Sequence, residues 1–375
     1  MKALSVVMVS AGFHPTVGGA ERQALELSAA LVARGHRVTV LTRRLSGLPR
    51  RETVRGVAVE RLPGPGCGPL DAPVFLSCAF ARLLLRREWD AVHAHLAGSP
   101  ALAAAAAGRL LGRPAVVKLG GGRGIGELAA SARTRLGRAK LAALAALRPR
   151  LIAVAEDLAD EAREFLPGAE IEVLPNGVDE VKFAPAGAER KNALRRALGW
   201  DANAFHFLYT GRFSPEKRLP WFLRAWRAQA GERERAVLVG AGAQRDAVLK
   251  AADGDARVLV LDAREELADL YAAADAFFLP SLSEGLSNSL LEAMSSGLAI
   301  VASRVGGSAE AVVDGRSGLL FDRDDEAALA SAIRRLRSEP GLAERLGAEA
   351  RREVLRRYSL AAVVARLEKM YLPRA

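Results

Sequence analysis

What most constrains this chain is an alternation that runs along it twice. Short apolar, β-branched runs are separated by longer segments with helical periodicity. The first series of candidate strands is Leu4–Val9, Arg37–Leu41, Val57–Arg61, Ala91–His95, Ala115–Leu119, Leu151–Val154 and Ile171–Leu174. The second is Phe205–Tyr209, Ala236–Val239, Arg257–Leu261, Ala276–Leu279 and Leu298–Ala302. Strand–helix alternation specifies parallel sheets, because each parallel connection must cross back over the sheet. A helix pattern over Ala20–Arg34 stops at Gly35, as a C-terminal cap would. A length of 375 residues exceeds what one ordinary core organises. The expectation is α/β, with two Rossmann-like, doubly wound domains facing across a cleft. The stretch Pro175-Asn176-Gly177-Val178-Asp179 to Pro185 is dense in turn formers and marks the boundary. That gives domains 1–175 and 176–357, with the C-terminal helix 358–375 expected to pack back on the first.

Charge separates the halves. Residues 1–150 carry 23 Lys and Arg against 8 Asp and Glu, a net +15, whereas residues 151–375 carry 31 against 35. A basic first half suits an anionic partner: a membrane surface, a phosphorylated acceptor or nucleic acid. Aromatics make up only 5% and no nucleic-acid motif occurs, which argues against stacking platforms and nucleic acid. The cysteines, Cys67 and Cys78, have no second Cys or His pair nearby, so neither a zinc site nor a disulfide framework is indicated. The longest near-apolar stretches, Ala101–Ala107 and Leu141–Leu147, fall far short of the roughly 20 residues a bilayer needs. Met1–Val9 reads as a buried first strand rather than a leader, since no small-x-small cleavage site precedes His14. A cytoplasmic setting follows, with a peripheral place on the inner face of the plasma membrane open to it. Arg133, Arg135, Arg138, Lys140, Arg148 and Arg150, interleaved with Ala and Leu, suit such a surface as well as they suit a solvated face.

Three segments after candidate strands carry chemistry, and carboxyl ends of parallel strands are where ligands bind. After Ala276–Leu279 comes Pro280-Ser281-Leu282-Ser283-Glu284-Gly285-Leu286, then a helix opening Ser287-Asn288-Ser289. Ser287 is an N-cap, and no acidic residue occupies the first turn, so the helix start offers free N–H groups to an anion. Glu284 and Glu292 can each accept two hydroxyl hydrogen bonds, which suits a sugar and a ribose; read alone they are as consistent with two solvated glutamates. After Phe205–Tyr209 comes Gly211-Arg212-Phe213-Ser214-Pro215-Glu216-Lys217. There Arg212 offers a bidentate fork and Lys217 a compact charge, both suited to a diphosphate, although a plain surface loop reads the same way. Gly18-Gly19 opens the first helix, where a ligand could approach the backbone or the chain could simply turn.

In their joint order these pieces resemble the retaining glycosyltransferases of family 4, which have the GT-B fold. The resemblance covers almost the whole chain and is strongest over 211–321. There the family's Glu-x7-Glu element matches Glu284 and Glu292. Leu174–Asp179, Val239-Gly240-Ala241-Gly242 and Val305-Gly306-Gly307 with Glu310 also fit its pattern. The resemblance implies that Arg212 and Lys217 bind the donor diphosphate and, with Glu284, act in catalysis. It places Glu292 on the ribose, and Glu284 with the backbone of Gly285, Leu286 and Ser287 on the transferred sugar and its phosphate. Asn288 joins the donor-binding set, and Gly19 touches the phosphate from the N-terminal domain. It implies a UDP- or GDP-sugar co-substrate, no metal and no resident cofactor, and a glycan or lipid-linked acceptor.

One departure stands out. Where many relatives carry His-Gly or His-Asp, this chain reads Lys118-Leu119-Gly120-Gly121-Gly122-Arg123-Gly124. Lys118, Gly120, Gly121 and Arg123 are therefore candidates to take over that role through backbone amides. His95, at the end of Ala91–His95, is a candidate near the acceptor, with a buried structural histidine the simpler alternative. Asp253–Asp255 and Asp322–Asp324 form Asp-x-Asp strings, but one lies in a turn and the other opens a surface helix. Two rival functions remain: a nucleotide-sugar 2-epimerase on the same fold, and a non-catalytic basic protein binding membrane or nucleic acid.

Overall fold

The structure is a computed structural model that describes residues 2–16, 18–64, 68 and 70–373. Cys67 lies outside the described residues, and Cys78 is a free thiol. The chain divides into two compact units: Met1–Gly177 with Leu360–Ala375, and Val178–Ser359.

The first unit is an eight-stranded sheet: β1 (Ser5–Val9), β2 (Arg37–Arg43), β3 (Arg51–Val54), β4 (Val57–Leu62), β5 (Ala91–His95), β6 (Ala115–Lys118), β7 (Arg150–Ala153) and β8 (Ile171–Val173). Its order is β3-β4-β2-β1-β5-β6-β7-β8, parallel except where β3 meets β4. The second unit is a six-stranded parallel sheet of β9 (Phe205–Thr210), β10 (Glu234–Val239), β11 (Val258–Leu261), β12 (Ala276–Leu279), β13 (Ala299–Ser303) and β14 (Leu319–Phe321), ordered β11-β10-β9-β12-β13-β14. The expected strands are all present, with ends displaced by at most two residues. Two others were not expected. β3 is a charged edge strand, Arg-Glu-Thr-Val, joined to β4 by Arg55-Gly56 with φ of 51° and 79°, the geometry of a tight hairpin. β14 spans only three residues, too few for a periodicity signal.

Both cores follow from the strand faces. In the first unit Val6, Met8, Val38 and Val40 bury against Leu27 and Leu31 of the helix Gly19–Ala33. Val363, Val364, Leu367, Met370 and Tyr371, from the C-terminal helix Leu360–Met370 and its end, complete that cluster. A polar clamp fixes this helix: Glu368 accepts from Arg34 Nε at 2.6 Å and lies 2.8 Å from His36 Nε2. Leu4 N donates to His36 Nδ1, which makes Nε2 the donor to Glu368. The second core is aromatic, with Phe222 stacked on Phe278 at 3.6 Å and Phe207, Tyr209, Trp226 and Phe277 fully buried. The basic segment Ser131–Arg150 is broken into Glu127–Ala132 and Arg135–Leu147, because Thr134 Oγ1 caps the second helix by accepting from Gly137 N at 2.9 Å.

Strand order reverses once in each sheet. In the first, the chain leaves β1 towards β2 and returns beside β1 as β5. In the second it leaves β9 towards β10 and β11 and returns beside β9 as β12. Connections depart to opposite sides at such a point, opening a crevice at the carboxyl ends of the two central strands.

Candidate functional site

The reversal between β9 and β12 brings two of the three segments together. Lys217 sits in the short turn Pro215–Lys217 after β9, and its ammonium donates to Glu284 Oε1 in the loop after β12. Ser281 Oγ donates to the same oxygen at 2.6 Å, and Leu282 N donates to Glu216 O at 2.8 Å, so the loops are joined through side chain and backbone. Ser303 Oγ, from the end of β13, donates to Ser281 O at 2.6 Å and steadies the loop from below. Glu284 is 8% exposed; Lys217 keeps 17% of its side chain in solvent. Arg212 is exposed, and its guanidinium makes no hydrogen bond or ion pair with any described residue. Its backbone is held, since Tyr209 OH donates to Arg212 O at 2.9 Å.

Glycines allow these loops to lie against their neighbours. A Cβ on Gly240 would fall 1.9 Å from Gly211 O, and one on Gly307 would fall 2.1 Å from Gly285 O. Neither place admits any side chain, because the obstacle is backbone. Gly307 N donates to Gly285 O at 2.6 Å, which sets the start of the Gly306–Ala311 helix against the glutamate loop.

The helix Asn288–Ser295 starts as the sequence indicates. Ser287 is extended at the N-cap, its Oγ accepts from Leu290 N at 3.4 Å, and the first turn has no acidic residue. Leu286 is buried, and Ser287 and Asn288 are half-buried. Glu292 projects from this helix and is 4% exposed, so neither glutamate of the pair is a solvated surface residue.

In the first unit the reversal between β1 and β5 places Gly19, exposed at the start of its helix, after β1. A Cβ on Gly18 would fall 2.1 Å from Glu21 Oε2, so this carboxylate already lies over the turn. His95 ends β5, is 2% exposed, and stacks on His93 at 4.7 Å; His93 Nδ1 is 2.7 Å from Tyr371 OH. Burial, reinforced by the charge of Lys118, holds His95 down at about 3, so it is neutral. Lys118 ends β6 beside it in register, and burial lowers its pKa to about 7.

Two buried or partly buried glutamates, not singled out from the sequence, organise the glycine loop. Glu127 accepts from Ala97 N at 2.6 Å and Gly120 N at 3.1 Å, and burial raises its pKa to about 7. Glu161 Oε1 accepts from Gly124 N at 2.8 Å. The amides of Gly120 and Gly124 are thus already engaged by the protein. Gly121 takes φ of +88° against Gly126, and Arg123 pairs with Glu164. Nothing local in the sequence links Glu161 to a loop 37 residues earlier. The Asp-x-Asp strings are engaged too: Asp255 by Arg257 at 2.8 Å and by Arg227, Asp322 by Arg304, and Asp324 by Arg218.

Comparison with known proteins bears on this arrangement. Residues 17–182 match the family model Glycosyltransferase Family 4, and residues 204–339 match Glycosyl transferases group 1. A glycogen synthase of Mycobacterium tuberculosis is 31% identical over 98% of this chain and 94% of its own length. The chain is a family 4 glycosyltransferase. A D-inositol 3-phosphate glycosyltransferase of Thermomonospora curvata is 32% identical to this glycosyltransferase over 94% of the chain and 90% of its own. Among solved structures, Anabaena HepE in complex with UDP and glucose superimposes with a TM-score of 0.79 at 20% identity, covering 98% of both chains. That likeness gives this glycosyltransferase the GT-B fold, two Rossmann-like units in one chain.

Proposed function

We propose that this enzyme moves a hexosyl group from a UDP- or GDP-linked sugar to a hydroxyl of a lipid-linked or polysaccharide-precursor glycan, with retention at the anomeric carbon and without a metal. The observation that carries this reading is the Lys217–Glu284 pair at the reversal of the second sheet, with an unpaired Arg212 on the adjoining loop. Arg212 and Lys217 supply the positive charge that a leaving nucleoside diphosphate needs as its negative charge grows. An ammonium has three donors, so Lys217 can keep Glu284 and still reach a phosphate oxygen. Glu284 then accepts from the hydroxyls of the transferred sugar, and Glu292 from the ribose. In front-face transfer the bond from the anomeric carbon to phosphate breaks, a bond to the acceptor oxygen forms, and the leaving phosphate takes the acceptor's proton. Such a step asks for cations and hydroxyl acceptors rather than a strong protein base.

The family supports a nucleotide-sugar donor, as does HepE, which has also been solved in complex with UDP-glucose. In this reading residues 1–175 serve the acceptor and residues 176–357 the donor. Exposed Arg135, Leu136, Arg138 and Arg148 favour a peripheral place on an anionic membrane face. No helix among the described residues is long and apolar enough to cross a membrane. The test is transfer and hydrolysis assayed across UDP- and GDP-sugars, with and without EDTA. Activity with one donor that survives EDTA is expected; abolition by chelation would overturn the metal-free part.

A further inference from the structure

At the carboxyl end of β6 the first unit holds a positive charge that nothing in it answers. Lys118 is 7% exposed, yet its ammonium makes no hydrogen bond or ion pair with any described residue. Burial alone sets its pKa near 7, with no carboxylate close enough to hold the proton. The carboxylates of this loop region are committed elsewhere: Glu127 to the amides of Ala97 and Gly120, Glu161 to that of Gly124, and Glu164 to Arg123. Beside Lys118, as its register partner on β5, lies His95. His95 Nε2 is buried and has no hydrogen-bond partner. Its ring is held from behind by His93, which is in turn tied to Tyr371. A neutral imidazole, which can present its N–H from either ring nitrogen, and an ammonium stand at the ends of adjacent parallel strands as two unpartnered polar groups, at a place where such sheets bind ligands. A protein tolerates an unanswered buried cation when something else supplies the anion.

We propose that Lys118 and His95 seat an anionic group of the acceptor, a phosphate or the carboxylate of an acidic sugar. The inference rests on the transfer reaction proposed above and narrows its acceptor to an anionic one. The donor is not needed to explain this seat, because Arg212 and Lys217 in the other unit already suit its diphosphate. The basic balance of the first 150 residues favours the same class of ligand, by raising the local concentration of anions.

Thermal unfolding of the full chain in phosphate-free buffer tests this, with inorganic phosphate as the minimal probe and UDP as the donor probe. Both are applied to the wild type and to Lys118→Met, which replaces the ammonium by an apolar chain of similar length. Phosphate should raise the wild-type midpoint even when UDP is saturating, since a ligand bound at a second site adds its own stabilisation. Lys118→Met should bind phosphate about 10-fold more weakly, keep its full UDP increment, and unfold at a higher temperature than the wild type when no ligand is present. An unchanged phosphate increment in Lys118→Met would overturn the seat. So would a wild-type phosphate increment that vanishes once UDP saturates, because the anion would then belong to the donor. The UDP increment, read in the same samples, reports on the donor reading separately.

Discussion

The Lys217–Glu284 pair joins a largely covered ammonium, 17% exposed, to a buried carboxylate, and the two substitutions that break it should differ. Lys217→Ala leaves the carboxylate of Glu284, 8% exposed, with Ser281 alone. Loss of that partner should cost about 1–3 kcal/mol of stability, together with roughly 100-fold or more in kcat. Glu284→Gln removes charge but keeps a hydrogen-bonding side chain, so it should lower turnover strongly while the melting temperature stays near the wild type. Steady-state kinetics beside calorimetry would separate the two; wild-type turnover in both variants would refute this site. Lys118 makes a prediction about pH. Its folded pKa, about 7, lies below the ordinary lysine value of 10.5, so the folded protein binds fewer protons than the unfolded chain between those values. The cost of its charge is therefore fully present below pH 7 and is relieved as pH rises towards 10.5. The midpoint gap between Lys118→Met and the wild type should be widest at or below pH 7 and close on the alkaline side, which melting scans across that range would show.

At the level of elements, function depends on loops that lie against other loops. Gly240 and Gly307 each face a backbone carbonyl across less space than a methyl group occupies. Gly307→Ala must push the Gly306–Ala311 helix away from Gly285, and the glutamate loop with it. We expect a stability loss of about 2–4 kcal/mol, together with lost transfer activity. Gly187→Ala, where an added Cβ meets nothing within 4 Å, is the control expected to leave both near wild type. A wild-type melting temperature for Gly307→Ala would show the loop free to yield. The glycines were legible as motifs before their reason was; the steric reason needs the strand order, which sets the β9 and β10 loops side by side.

On the scale of the whole molecule, the two units are not two halves of the sequence. The chain crosses into its second unit at Val178 and comes back at Leu360. Truncation after Ser359 would strip Val363, Val364, Leu367, Met370 and Tyr371 from the first core. Each buried side chain of this kind is worth about 1.5–3 kcal/mol, so the loss rivals the whole 5–15 kcal/mol margin, roughly, of a typical domain. The first unit without that helix, a fragment of residues 1–177, should fail to give a cooperative transition. A fragment of residues 178–359 should unfold cooperatively by itself. Circular dichroism melts of both fragments test this, and a cooperative melt of the truncated first unit would show that the returning helix is dispensable.

The amino-acid sequence by itself determined the strand–helix rhythm, the doubling of the series, the strand ends that carry glycine and charge, and hence the family. These are local: period, turn chemistry and motif order are written in neighbouring residues. Only the tertiary structure decided that Lys217 meets Glu284, 67 residues away, and that Glu127 and Glu161 hold the glycine loop. It also decided that Lys118 is left with no carboxylate. Which charges pair depends on the order of strands in the sheet, and a parallel sheet sets side by side loops that the sequence keeps far apart.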